Sequence, residues 1–404
     1  MGCNVNGSIT LPATVNYQNE TYQITDIAPY AFLDKRGVTQ VTIQQGSLTT
    51  IGNQAFCNSG IVAITLPESL TTIGSSVFHG ADKLNSIVIP DGVTAIGDRA
   101  FTGCNSLKSL DIPERVTAIN AFAITNCAGL TSVNLPSTLQ RLEQASISGN
   151  PGITAITLPQ SLRFIGENTL AFLGISSITI PEGVTTIGNS AVAVCEDLES
   201  ITLPASLSAI DNYGIYGCPK LKNIRLPQGL KTLGEEALSK CGMPYILLPE
   251  GLTTIGDGAM SHDNVLKAVN IPSIVTKMEG AFSGLTGARR VYSRIKQAYR
   301  PGGQTFVTCI PGFTYGGKTK FYVPKGSLSS YQDVSPWSMM NMLVEEVPGD
   351  VDDNNTIDVS DMSEIINHVL VKGNPETAIA ADVDRSCDID VTDINIIINK
   401  ILNK

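Results

Sequence analysis

The stretch Cys104-Asn105-Ser106-Leu107-Lys108-Ser109-Leu110-Asp111-Ile112-Pro113-Glu114-Arg115-Val116-Thr117-Ala118-Ile119 recurs along most of the chain, and its recurrence decides the fold. A proline preceded by Leu or Ile returns at Pro67, Pro90, Pro113, Pro136, Pro159, Pro181, Pro204, Pro227, Pro249 and Pro272, at intervals of 23 or 22 residues. A second column of anchors runs Ile27, Ile51, Ile73, Ile96, Ile119, Leu142, Ile165, Ile187, Ile210, Leu233, Ile255 and Met278, which makes twelve coils. A period this regular means a solenoid, in which each coil buries its apolar residues against its neighbours.

Glycine follows the anchor at 52, 74, 97, 166, 188, 234 and 256, with Asn120 and Asp211 in its place elsewhere. These residue types tolerate a left-handed backbone, which predicts a chain reversal at that position in each coil. Five residues past the anchor lies a large apolar column from Phe32, Phe56, Phe78 and Phe101 to Met260 and Phe282, with mostly small residues one position before it. Large beside small fills a stacked interior. The segment Leu-x-x-Ile-x-Leu-Pro alternates with period two and is rich in β-branched residues, so it predicts a short strand that its proline ends. Twelve such strands stacked in parallel give a sheet roughly 55 Å long.

The repeated unit resembles the 23-residue leucine-rich repeat of BspA-like surface proteins, over residues 7 to 285. The resemblance implies a secreted or cell-surface binding or adhesion protein without catalysis, its signal segment removed from the chain as it stands. Its repeats would offer a sheet to an unknown host or glycan ligand.

The composition agrees with a nearly neutral solenoid carrying an acidic tail. The 404 residues hold 37 Asp+Glu against 27 Lys+Arg, a net charge of -10 that disfavours nucleic acid as a partner. Residues 349 to 404 account for 12 of the acids and 4 of the bases. No run approaches the ~20 apolar residues of a membrane span. Cys104, Cys127, Cys195, Cys218 and Cys241 all fall eight residues past an anchor, a repeat position that reads as small buried hydrophobes rather than a metal or redox site. The three histidines, His79, His262 and His368, share no segment, and no catalytic constellation stands out.

Between Thr286 and Val344 the register is lost, and eight Lys+Arg stand against one acid. Phe321-Tyr322-Val323-Pro324-Lys325-Gly326-Ser327 with Tyr331 and Trp337 resembles the C-terminal cap of the same family. The same stretch also reads as a basic and aromatic patch, Arg289, Arg290, Arg294, Lys296 and Arg300 with Tyr292, Tyr299 and Tyr315, suited to a glycan or an acidic partner.

Beyond Gly349, oxygen side chains stand at loop positions 1, 3, 5, 9 and 12 as Asp350, Asp352, Asn354, Asp358 and Asp361, with Thr356 offering its carbonyl at position 7. The pattern returns 32 residues later as Asp382, Asp384, Ser386, Asp390 and Asp393, with Asp388 at position 7. This is calcium-loop spacing. Behind each loop, Met362, Ile365, Ile366, Val369 and Leu370, then Ile394, Ile397, Ile398, Ile401 and Leu402, repeat at helical spacing and predict two helices packed together.

Asp rather than Glu closes each loop and no entering helix precedes Asp350, features that resemble a type I dockerin over residues 349 to 404. The resemblance implies two Ca²⁺ and a cohesin-type partner, met through Val359, Ser360, Ile366, Asn367, Val391, Thr392, Ile398 and Asn399, in two orientations because the halves are nearly alike. The family's Gly at loop position 6 is replaced by Asn355 and Cys387; Asn tolerates the sharp turn better, so the second site is expected to bind calcium more weakly. The expected fold is a leucine-rich repeat solenoid of short parallel strands in about twelve 22–24 residue repeats (1–285), a cap (286–347) and a small all-α calcium-binding dockerin-like domain (348–404). The expected role is non-catalytic binding. A structural spacer with only the dockerin-like domain engaged, or a component of polysaccharide degradation, are the alternatives.

Overall fold

The structure, a computed structural model, describes residues 6–262, 265–278, 280–282, 287–296, 319–333, 342–354, 356–371, 377–386 and 389–402. Cys3, Tyr299, Arg300, Cys309, Tyr315, Trp337, Asn355, Cys387 and Asp388 lie outside the described residues. The chain forms two compact units, Met1–Leu198 and Glu199–Lys404.

The first unit opens on a hairpin, Thr14–Tyr17 antiparallel to Glu20–Gln23, turned by Gln18 and Asn19 at positive φ. Gly7–Leu11, Val38–Ile43 and Ala63–Thr65 pair in parallel beside it. The anchors build a second row of two-residue strands that the proline-ended segments alone do not reveal. Asp26–Ile27, Thr50–Ile51, Thr72–Ile73 and Ala95–Ile96 pair in order, and so do Ala118–Ile119, Arg141–Leu142, Phe164–Ile165 and Thr186–Ile187. The step between the two runs has a local cause. Elsewhere the backbone N–H after the anchor donates to the previous anchor's carbonyl, as Gly97 does to Ile73 at 2.8 Å, whereas Asn120 reaches Ile96 O with its side-chain Nδ2 at 2.7 Å.

The expected reversal at the glycine after each anchor is corrected by the backbone angles. Positive φ falls three and seven residues past the anchor, at Gln54 and Asn58, Arg99 and Gly103, Phe122 and Asn126, and so on through Glu236 and Lys240, and not at Gly52, Gly74 or Gly97. Glycine is needed after the anchor for space: a Cβ on Gly97 would stand 2.4 Å from the backbone N of Ser75 in the coil before. Close approach of coils, rather than handedness, selects it.

The interior matches its columns. Phe32, Phe56, Phe78 and Phe101 stack with centroids 5.0, 5.8 and 5.3 Å apart. Each cysteine of the repeat column is buried and takes no part in a disulfide, and several donate S–H to the carbonyl of the large apolar residue one coil earlier, Cys104 to Phe78 at 3.2 Å and Cys127 to Phe101 at 3.0 Å. Asn150 occupies the same column and donates Nδ2 to Ile124 O at 2.7 Å, while Ala81 and Leu173 fill it with no donor at all, so the column does not call for a reactive thiol. Burial pushes the Cys127 and Cys195 thiols up to about 11. At pH 8 roughly a thousandth of each is then thiolate. Alkylation of the native chain is expected to miss both, with any rate rising about tenfold per pH unit toward 11, and to succeed after denaturation; rapid native labelling of either residue contradicts this.

In the second unit the anchor ladder runs Ala209–Ile210, Thr232–Leu233, Thr254–Ile255 and Lys277–Met278. Beside it lies a five-stranded parallel sheet, Tyr245–Ile246, Ala268–Ile271, Arg290–Ser293, Lys320–Val323 and Leu343–Glu345. The loss of register after Thr286 therefore does not end the sheet. A longer connection separates Arg290 from its partner Lys320, and the pairing stays parallel. Helix α1, Leu328–Gln332, buries Tyr331, whose hydroxyl donates to Ile295 O at 2.6 Å. A buried ion pair joins Arg294 and Glu346 in the same segment.

Three further helices follow: α2 (Val359–Val371), α3 (Ala378–Ala381) and α4 (Val391–Leu402). Ile365 on α2 and Ile397 on α4 are fully buried where the two helices meet.

Candidate metal centre and its seat on the repeat sheet

Each loop is shaped by its own carboxylates before any ion is considered. Asp361, fully buried at the first turn of α2, accepts from the backbone N–H of Val351 at 2.6 Å and Asp352 at 3.3 Å on one oxygen and of Asp358 at 2.8 Å on the other. Asp393 repeats this with Val383 at 2.6 Å, Asp384 at 3.1 Å and Asp390 at 2.9 Å. Both ends of a twelve-residue loop are thereby tied to its closing residue. Asp350 Oδ1 receives Asn354 N at 3.0 Å, and Asp382 Oδ1 receives Ser386 N at 2.9 Å. Position 4 takes a left-handed turn in both, at Asp353 (φ 66°) and Arg385 (φ 62°).

The result is two convergent carboxylate clusters, Asp350–Asp352–Asp361 and Asp382–Asp384–Asp393, with one oxygen from each member within 4.8 Å of the others. Burial first, and Asp384 nearby second, holds the Asp393 carboxyl above its ordinary range. Hydrogen bonds from the Thr392 hydroxyl and N–H hold Asp390 below it. An all-oxygen donor set of this kind fits a hard divalent cation such as Ca²⁺. Asn354, Thr356 and Asp358 line the rest of the first loop, while Asp358 Oδ1 is engaged by Ser360 N at 2.8 Å.

The residues expected to meet a partner divide by exposure. Val359, Ser360, Asn367, Val391, Thr392 and Asn399 are exposed, and Ile366 and Ile398 are half-buried. Leu370 and Leu402, expected inside the helix pair, are instead 74% and 76% exposed, because α2 and α4 meet along Ile365 and Ile397 and turn their last leucines outward.

Absent from the sequence reading is the surface on which the module sits. Tyr245, Leu247, Ala268, Tyr292 and Tyr322, all on the five-stranded sheet or beside it, share one apolar cluster with Val351, Ile365, Ile379, Ala381 and Ile397 of the calcium module. Tyr292 and Tyr322 stack at 4.5 Å, and burial pushes Tyr292 up to about 12 and Tyr322 further. The rim is polar: Lys320 pairs with Asp353, Tyr322 donates to the same carboxylate at 2.8 Å, and Gln228 donates to Arg385 O at 3.3 Å. The ring of His368 meets Tyr245 edge-on at 6.4 Å, and its Nε2 lies 3.1 Å from Thr377 Oγ1.

This arrangement corrects the basic and aromatic patch. Tyr292 is buried beneath the module and Arg294 is buried against Glu346, while Arg290 lies 5.9 Å from the Tyr322 ring; Arg289 and Lys296 remain exposed. The warning was present in the strand columns. Exposed polar residues such as Thr65, Asp111, Thr157 and Thr179 give way on the same face to Leu247, Tyr292 and Tyr322, and apolar side chains at sheet positions imply a cover.

Comparison with known proteins follows the same division. The model of the BspA type leucine-rich repeat region matches residues 3–104, 25–154, 72–198 and 186–292, and that of the dockerin type I domain matches residues 348–402. The chain is similar to a leucine-rich repeat protein from Bacteroides ovatus, at 27% identity and a TM-score of 0.52 over 79% of this chain and 92% of that one. It is also similar to a leucine-rich cell surface protein from Faecalibacterium prausnitzii, at 26% identity and a TM-score of 0.49 over 72% of this chain and 88% of that one. No curated protein matches it. With repeat matches spanning residues 3 to 292 and a second family's domain after them, the chain belongs to the BspA type leucine-rich repeat proteins and ends in a type I dockerin domain.

Proposed function

We propose that this is an extracellular or surface-attached binding protein whose repeats carry a ligand surface and whose dockerin domain, loaded with Ca²⁺ at two sites, docks to a cohesin-type partner. The boundaries we assign are 1–285 for the repeats, 286–347 for their cap and 348–404 for the dockerin. The second calcium site is the weaker one, since its loop carries Cys387 at position 6 where the first carries Asn355, which tolerates the sharp turn better.

The observation that carries the docking reading is a matched set of exposed apolar side chains. Val359 and Val391 are each 60% exposed, and Leu370 and Leu402 match them at the far ends of α2 and α4. Exposed apolar groups repeated by an internal duplication, on a domain that already has a core, suit a partner's surface. Their near-symmetry supports docking in two orientations. The seat on the repeats uses Val351, Ile365, Ile379, Ala381 and Ile397 with position 4 of each loop, and none of the four exposed apolar residues is among them.

The test is capture of the full chain by immobilised type I cohesin in calcium and in chelator. Capture is expected in calcium only, and the double variant V359D/V391D is expected to bind at least about 100-fold more weakly, as loss of two apolar anchors implies, with its calcium titration unchanged. Failure to bind across a panel of type I cohesins refutes the partner. Equal binding by the double variant refutes the surface.

A further inference from the structure

We propose that the N-terminal unit carries a binding site for a neutral saccharide in a recess on its turn face, between the coils anchored at Ile119 and Ile187. The proposal is independent of the dockerin reading. Each coil places left-handed residues three and seven positions past its anchor. In the coil anchored at Leu142 both positions are small, Ala145 and Gly149, whereas the coil before presents Phe122 and Asn126 and the coil after presents Asn168 and Phe172. The missing side chains leave a recess of 740 Å³, with Glu196 and Asp197 also lining it. That volume lies within the roughly 300–1,000 Å³ of small-molecule sites.

Large side chains frame the recess. Phe122 (φ 58°), Phe172 (φ 59°) and Val194 (φ 55°) hold a left-handed conformation that bulky and β-branched residues rarely adopt, and all three border this recess. Core burial does not account for Phe172, which is 50% exposed. The left-handed angles belong to the repeat, as at Arg99 and Glu236, and what is particular here is the half-exposed ring of Phe172 bordering the recess. Arg99, from the same column one coil earlier, lies 4.7 Å from the Phe122 centroid and steadies that ring. Asn126 leans across Gly149, where an added Cβ would come within 2.1 Å of its Oδ1.

The chemistry selects the ligand. Aromatic faces attract the polarised C–H face of a pyranose, and the amides of Asn126 and Asn168 each offer a donor and an acceptor to neighbouring hydroxyls. Carboxylates at Glu196 and Asp197 accept from hydroxyls and repel acidic sugars, so the site takes a neutral one.

Saturation-transfer NMR on the full chain, with maltotriose, cellotriose and N,N′-diacetylchitobiose as separate probes, tests the assignment. At least one probe is expected to receive saturation. Its affinity is expected to fall at least about tenfold in F172A, which removes a half-exposed ring, and in A145F, which fills the recess with a residue the same column already holds at Phe122. Both variants are expected to keep the parental melting temperature. No transfer to any of the three probes overturns the proposal, and so does transfer that survives both variants. Tighter binding of a Gly-Phe-Gly peptide than of every sugar overturns it in favour of a peptide site.

Discussion

Chelating calcium from the full chain is expected to melt residues 348–402 and to lower the stability of the whole C-terminal unit. Twelve acids stand against four bases in residues 349–404, and their carboxylates converge on two clusters. Without cations, mutual repulsion opposes the loop geometry that Asp361 and Asp393 impose. A thousandfold excess of calcium over the dissociation constant contributes about 4 kcal/mol per site. For a unit of this size that is on the order of 8–16 °C of melting temperature per site. The effect should not stop at the domain boundary, because Tyr292 and Tyr322 share a core with Ile365 and Ile397. Hydrogen exchange in chelator is therefore expected to rise at Arg290–Ser293 and Lys320–Val323 as well as in the loops. Exchange confined to residues 348–402 would show that the domain folds independently of its seat. Asp361→Ala, which removes one carboxylate and the acceptor of three backbone N–H groups, is expected to reproduce the loss at the first site, and calorimetry is expected to resolve two unequal sites.

Replacing Glu346 with alanine is expected to be nearly as damaging, with no metal involved. Arg294 and Glu346 are about 95% buried as a pair, so the substitution leaves a buried guanidinium without its counter-charge. Breaking a buried pair from one side typically costs about 3–5 kcal/mol. That corresponds to roughly 6–20 °C in the melting of a unit this large. The double change Arg294→Met with Glu346→Leu is expected to recover most of the loss, since it removes both desolvated charges together. Thermal melts of the three proteins in saturating calcium check this. A single variant that melts with the parent would mean that the pair reaches water.

Periodicity carried the repeat architecture because each coil buries the same positions. The columns from Ile27 to Met278 and from Phe56 to Phe282 map directly onto the interior, with Phe32 half-buried at its edge. Glycine answers two needs, positive φ and close approach, and spacing alone does not separate them. Contacts at Gly97 and the angles at Arg99 and Gly103 do. Loop spacing located the carboxylates that converge, Asp350, Asp352 and Asp361 and their duplicates, since ligands from a single loop need no tertiary information. The seat escaped because it joins residues as distant as Gln228 and Arg385. The same distance hid the fate of Tyr292 and Arg294, whose composition suggests a binding patch and whose packing makes a core.

All the groups that seat the calcium domain, from Arg225 beside Asp390 to the stacked Tyr292 and Tyr322, belong to the C-terminal unit. Whole coils gained or lost within residues 1–198 change none of them. Each such event alters the length of the repeat stack by about 4.8 Å. Gain or loss of a coil can thus vary what the repeats present while the seat of the dockerin domain stays the same. The repeat surface and that seat are separately heritable in one chain.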